Sequence, residues 1–278
     1  MTLHRPQTLD AALELAERGL PILAGGTDLY PALRDGPPPE AMLDLTNVAG
    51  LRGIALDAGS WRIGAATTWT DIIRAGLPPQ FAGLVAAARE VGSVQIQNTA
   101  TVAGNLCNAS PAADGVPPLL TLDAEVELAG PDGLRRLPLA QFVTGVRRTA
   151  RDPGEIVTAL HIPDRPAARA SFVKLGARKY LVISIAMTAV LVEAEDGIVT
   201  RAAVAVGACS PVAQRLTGLE RALTGARIAD VPDLCADTAL PELTPIDDIR
   251  ASADYRITAP RILIARALMQ ALSTPDAE

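Results

Sequence analysis

Two glycine-bearing segments constrain this chain more than any other feature. Residues 98–120 read N-T-A-T-V-A-G-N-L-C-N-A-S-P-A-A-D-G-V-P-P-L-L. Small residues, hydroxyls and amides crowd around Gly104, and one carboxylate, Asp114, stands before a Pro-containing apolar run. Small residues let a backbone approach a ligand closely. Thr101, Asn105, Asn108 and Ser110 supply neutral donors and acceptors. The second segment, A-G-G-T-D-L at 24–29, directly follows Pro21, Ile22 and Leu23. Strand, glycine turn and helix start leave backbone N–H groups free for an anion. Neither segment carries Lys or Arg. The two are therefore expected to form two walls of one diphosphate site. The pattern is neither G-x-G-x-x-G nor a Walker loop, since no lysine follows.

Composition removes several classes. A length of 278 residues fits roughly two domains. No apolar run approaches the ~18 residues of a membrane span. The start, M-T-L-H-R-P, lacks a basic-then-apolar signal, so a cytoplasmic location is expected. Cys107, Cys209 and Cys235 form no C-x-x-C pair, and His4 and His161 are widely separated. Neither a metal site, an iron–sulfur cluster nor a Ser-His-Asp triad is expected on this chain. A net charge of −6 and 3% aromatics argue against a nucleic-acid surface.

Along the chain, Thr8 caps an expected helix ended by Gly19, and 21–24 reads as a buried strand. Thr27 or Asp28 caps a helical piece at 29–33, and 42–45 is a second strand, so 1–46 reads as a small β-α-β unit. Residues 51–56 and 61–65 read as a hairpin. Thr70 is expected to cap the next helix, 81–91 has a helical pattern, and 98–120 reads as a loop. Strands are expected at 124–129, 134–137 and 155–162. Residues 165–169 read as a connector. Strands at 170–175, 186–193 and 198–207 and a helix at 216–223 follow. Thr258, with Pro260 in the first turn, is expected to open a terminal helix. The expectation is three or four antiparallel strands covered by helices.

Four motifs then stand in register. They are A-G-G-T-D-L, T-x-x-G-N followed by S-P-x-x-D, F-x-K-x-x-x-R at 172–178, and D-I-R-A-S-A-D-Y-R at 248–256. Together they resemble the FAD-binding medium subunit of molybdenum hydroxylases, the family of carbon monoxide dehydrogenase and the flavin part of xanthine dehydrogenase. The resemblance covers essentially the whole chain. It implies an α+β fold: a two-subdomain, PCMH-type FAD-binding domain at 1–168, with subdomains of about 1–50 and 51–168. A small antiparallel sheet-plus-helix domain at 169–278 follows. It implies FAD between the two subdomains, and an oxidoreductase subunit passing electrons from iron–sulfur clusters to NAD, a quinone or oxygen. It implies a molybdopterin-binding large subunit and a two-iron small subunit as partners, in a dimer of heterotrimers.

The resemblance also assigns residues. Backbone N–H groups of Ile22, Leu23, Ala24, Gly25, Gly26, Thr27, Asp28 and Leu29 would hold the pyrophosphate. Thr101, Val102, Ala103, Gly104 and Asn105 would make further phosphate and ribityl contacts. Asp114 would bind the nucleotide end, Ile156 would lie beside the rings, Lys174 near the flavin and Ile183 over the isoalloxazine. A lysine there would favour the anionic reduced flavin. No side chain is expected to act as an acid–base catalyst. Ala103 stands where the family pattern has a glycine, and is expected to have ordinary φ. Gln97 stands where the family often has Arg. The plainer roles are a helix cap for Asp114, a solvated lysine for Lys174, core for Ile183 and a surface turn for Arg178. Cys107 is expected to be a buried thiol, and 248–256 a structural segment linking the last helix to the FAD domain or a partner. Two alternatives remain: a self-sufficient flavin oxidoreductase and a flavin-free structural subunit.

Overall fold

A computed structural model describes residues 1–34 and 36–273. In chain order, the first elements are β1 (Thr2–His4), α1 (Leu9–Glu17), β2 (Ile22–Leu23), α2 (Leu29–Leu33) and β3 (Ala41–Asp44). There follow β4 (Ile54–Asp57), β5 (Ser60–Gly64), α3 (Trp69–Arg74), α4 (Ala82–Glu90), α5 (Val94–Thr99), α6 (Val102–Asn108) and α7 (Val116–Thr121). Next come β6 (Glu125–Gly130), β7 (Gly133–Pro138), α8 (Leu139–Phe142), β8 (Val143–Gly145), β9 (Arg148–Thr149) and β10 (Ile156–Pro163). The chain ends with β11 (Arg169–Leu175), β12 (Ala186–Glu195), β13 (Ile198–Gly207), β14 (Gln214–Arg215), α9 (Thr217–Leu223), α10 (Val231–Asp237) and α11 (Ala253–Leu272).

These elements form two compact units interleaved along the sequence. The first comprises Met1–Ala75, Ser93–Ala109 and Ala124–Asp164; the second takes Gly76–Gly92, Ser110–Asp123 and the chain from Arg165 onward. No helix among the described residues is long and apolar enough to cross a membrane.

In the first unit, β1, β3 and β2 form a parallel sheet in that order. Ala12, Ala16, Leu43, Leu45 and Ile156 meet in one apolar cluster. A five-stranded antiparallel sheet runs β4-β5-β10-β6-β7. Its central strand β10 is buried along nearly its whole length, which is why it reads as a continuous apolar run rather than an alternation. His161 within it meets the Glu127 carboxylate at 2.8 Å, a partner the sequence did not reveal. Thr68, not Thr70, caps α3, through a capping box closed by Asp71.

In the second unit, β11-β12-β13-β14 form an antiparallel sheet whose buried valines pack with α9, α10 and α11. The terminal helix starts earlier than Thr258. Ser252 caps it, and Pro260 lies inside, beyond the first turn. The segment 98–120 is mostly helical rather than a loop. Val102 and Ala103 N–H groups donate to Thr67 and Ala65 carbonyls, so tertiary bonds hold a short helix that propensity alone would not.

Candidate functional site

The first loop leaves β2 through Ala24 and Gly25 into the glycine turn. Gly26 has φ +69°, the left-handed region that favours glycine. A Cβ on it would also lie 2.7 Å from the Tyr30 ring. Gly25 is glycine for a different reason: a Cβ there would lie 2.1 Å from the Thr99 carbonyl oxygen and 2.8 Å from Ala100 Cα. The backbone of the first loop is thus pressed against the segment that enters the second. Asp28 stands at the N-cap of α2, but its side chain makes no capping bond. No hydrogen bond to a described residue engages the N–H of Gly25, Gly26, Thr27 or Asp28. A row of unengaged donors suits an oxyanion, and a flavin diphosphate fits it.

The second loop differs. Thr101 caps α6, its hydroxyl accepting the Gly104 N–H at 3.1 Å. Asn105 N–H bonds back to the Thr101 carbonyl. With Val102 and Ala103 already donating to Thr67 and Ala65, the N–H groups from Val102 to Asn105 are engaged within the chain. Ala103 is helical, so its replacement of glycine carries no strain. A Cβ on Gly104 would come 2.8 Å from the Thr101 hydroxyl, so this glycine is required by the cap itself. What the loop can offer a ligand is a side chain. Asn105 Oδ1 is buried with no hydrogen-bond partner among the described residues. An acceptor of this kind calls for a donor such as a ribityl hydroxyl, not a phosphate oxygen.

In the second unit, Asp114 lies among its own partners. Lys174 Nζ meets Oδ2 at 2.7 Å, and the Ser184 hydroxyl donates to Oδ1 at 2.8 Å. Lys174 also reaches the Glu90 carbonyl at 3.4 Å. Burial pushes the Asp114 carboxyl above its ordinary value, against the pull of Lys174 and Ser184. Asp114 is not a helix cap, since Gly115 occupies the N-cap of α7. Nor is Lys174 solvated: its side chain is buried, and its charge is matched by Asp114 at contact distance. A cavity of about 370 Å³ opens beside it, lined in part by Glu90, Phe172, Lys174, Arg178 and Val182.

Residues 176–185 join β11 to β12. Arg178 donates to the Leu181 carbonyl, and Leu181 has φ +51°. Ile183 is 53% exposed beside the buried Ser184, so it is not core, and it leaves an apolar face open to a planar ring. Ile156 contrasts with it. It is wholly buried in the first unit's core. Leu23 and Val102 are likewise buried and support their loops from within. Cys107 has exposed surface, yet desolvation still pushes its thiol up to about 11. Burial pushes the Cys209 and Cys235 thiols up to about 12 and about 11, so both are unreactive near neutral pH.

Sequence reasoning missed Ser184, which no motif marks; it meets Asp114 from the segment that joins β11 to β12.

Comparison with known proteins places the chain in a family. Residues 1–165 match the model of the FAD binding domain in molybdopterin dehydrogenase, and 171–271 that of the CO dehydrogenase flavoprotein C-terminal domain. The xanthine dehydrogenase FAD-binding subunit of Escherichia coli O157:H7 is 30% identical over 97% of this chain and 95% of its own. The nicotinate dehydrogenase FAD-subunit of Eubacterium barkeri is 35% identical over 80% of this chain and 78% of its own. A solved chain of carbon monoxide dehydrogenase from Hydrogenophaga pseudoflava superposes with a TM-score of 0.88 at 27% identity, covering 98% of this chain and 97% of that one.

Proposed function

The chain belongs to the FAD-binding medium subunits of the molybdenum hydroxylases, an oxidoreductase family, and on that premise we propose that it relays electrons from iron–sulfur clusters on a partner subunit to NAD, a quinone or oxygen. FAD, when bound, supplies the redox chemistry; the protein sets its position and potential. The observation that carries the proposal is the first loop. Four N–H groups there lack partners among the described residues, and Gly25 holds the loop against Thr99.

In this reading Ile22 to Leu29 form the diphosphate cradle, with the donors at Gly25, Gly26, Thr27 and Asp28. Thr101 to Asn105 brace it, and the Asn105 amide takes a ribityl hydroxyl. Asp114 and Lys174 act as a pair: the lysine's charge is matched locally, so its pull on the flavin is weaker than that of a lone lysine. Ile183 covers the ring. Ile156 supports from the core. Functionally the chain divides into an FAD domain at 1–168 and a C-terminal domain at 169–278, of which 274–278 lie outside the described residues. The assembly is a cytoplasmic dimer of heterotrimers with a molybdopterin-binding large subunit and a two-iron small subunit.

The test is to purify the chain with and without those partners. About one FAD per chain should be released by acid, since no covalent attachment is expected. Organic substrates should reduce the flavin only when both partners are present. Absence of flavin and of FAD uptake by calorimetry would overturn the proposal. Rapid flavin reduction by an organic substrate in the isolated chain would favour a self-sufficient oxidoreductase.

A further inference from the structure

The motif at 248–256 ends on Arg256, which is 4% exposed near the start of α11. Its Nη1 donates to the carbonyls of Ile185 and Ala208, both at 2.7 Å, and its Nη2 to Asp248 Oδ1 at 2.8 Å. Its Nε is buried with no partner among the described residues, so the guanidinium is held through its two Nη groups. Asp248 is itself fixed by the N–H groups of Arg250 and Ala251 at 2.8 and 3.1 Å. The guanidinium is therefore set by the helix start on one side and grips two backbone positions on the other.

Those two positions flank the Asp114 cluster. Ile185 follows Ser184, whose hydroxyl donates to Asp114, and precedes β12; its own N–H donates to the Leu175 carbonyl at 2.8 Å. Ala208, at φ +64°, follows β13, and its N–H donates to the Pro111 carbonyl at 2.9 Å, three residues before Asp114. One buried cation thus ties the segment carrying Ile183 and Ser184 to the segment carrying Asp114. A charge this deep cannot reach a partner's surface. A planar fork holds two carbonyls and a carboxylate in fixed directions; a lysine is a point charge on a flexible stem and sets no such geometry.

We infer that Arg256 is a positioning residue for the flavin site: it fixes the entry to β12 and so sets where Ile183 projects and how Ser184 meets Asp114. The inference rests on the proposal that Ile183 covers the flavin ring. Arg261 provides an internal control. It lies on the same helix and binds carbonyls in the same way, through Nη1 to Ala236 at 2.7 Å and Thr238 at 2.6 Å, but its partners end α10.

The experiment uses the full chain loaded with FAD, as wild type and as Arg256→Met, Arg256→Lys, Arg261→Met and Ile183→Ala. Three properties are read: the flavin's visible spectrum, FAD dissociation, and amide hydrogen exchange over 176–186. Both Arg256 variants should shift the spectrum in the same sense as Ile183→Ala and speed exchange at Ile185. They should weaken FAD binding by about tenfold or more, the loss expected when hydrogen bonds to a charged group are broken. Arg261→Met should lower the melting temperature and leave all three unchanged. If Arg256→Met does not fold, Arg256→Lys decides. A folded Arg256→Lys with wild-type spectrum, affinity and exchange overturns the inference, as does an Ile183→Ala whose flavin is unaltered. A wild-type chain that takes up no FAD overturns the functional proposal instead.

Discussion

Gly25 touches Thr99 so closely that a single methyl group would lie 2.1 Å from the Thr99 carbonyl oxygen. This contact joins two segments that the sequence separates widely. It also divides the labour of the glycines: Gly25 serves loop-on-loop approach, Gly26 serves left-handed backbone, and Gly104 serves a helix cap.

The first prediction follows. Gly25→Ala should destabilise by the about 1–3 kcal/mol typical of overpacking, or more, because the obstacle is backbone and cannot rotate away. FAD binding should fall with it. Gly104→Ala should cost about 1 kcal/mol, the loss of a cap. Ala103→Gly should cost about 0.5–1 kcal/mol as a helix glycine and leave FAD affinity unchanged. Thermal melts with FAD calorimetry on the three variants check the order. Equal effects of Gly25→Ala and Ala103→Gly would remove the loop contact from the argument.

Asn105 offers a sharper separation of folding from binding. Its Oδ1 is buried with no hydrogen-bond partner among the described residues, and a buried acceptor left unpaired costs stability. Asn105→Leu should leave the FAD-free chain as stable or more stable, yet weaken FAD by about 1–3 kcal/mol. A variant that destabilises the apo chain and binds FAD normally would mean that the amide serves the fold alone.

Much of this was legible in the sequence, but unevenly. The strands β11, β12 and β13 and the Thr8 cap follow from pattern and cap chemistry. T-x-x-D at 68–71 marks a capping box, yet Thr70 stood nearer the helical pattern. The start of α11 was hidden because Pro260 reads as a first-turn proline, whereas the helix carries it inside, where its missing N–H removes only one bond. Glycine and asparagine made 98–120 look like a loop; bonds to Thr67 and Ala65 made part of it a helix. The nearness of the glycine segments could be inferred from their shared chemistry. The meeting of Asp114 with Lys174 and Ser184 could not, because they come together from segments 60 and 70 residues apart in the chain.

The Lys174–Asp114 pair gives a third prediction. Lys174→Met leaves a buried carboxylate without its cation and should cost about 3–5 kcal/mol. Lys174→Met with Asp114→Leu should cost clearly less than the sum of the single changes, because neither charge is then stranded. Denaturant melts of the two singles and the double form the cycle. Simple additivity would show that the two side chains are not coupled in solution.

Asp248 gives the last prediction, on pH. Burial raises its carboxyl, but hydrogen bonds from the Arg250 backbone, the Arg256 guanidinium and the Ala251 backbone outweigh that and hold it down to about 2. An unfolded Asp titrates near ~3.9. A depressed folded value means that the folded state prefers the ionised form. The resulting stabilisation is full above the unfolded value and disappears as pH falls from about 4 toward about 2. Asp71, Asp123, Glu127 and Glu155 are also held low, so the whole chain should weaken in acid. The share due to Asp248 is isolated by comparison. Asp248→Asn should be less stable than wild type at pH 7, and the gap should narrow steadily below about pH 4. Denaturant melts of the FAD-free chain from neutral to acid pH measure that gap. A gap that stays constant across the range would show that the Asp248 charge does not hold the Arg256 fork.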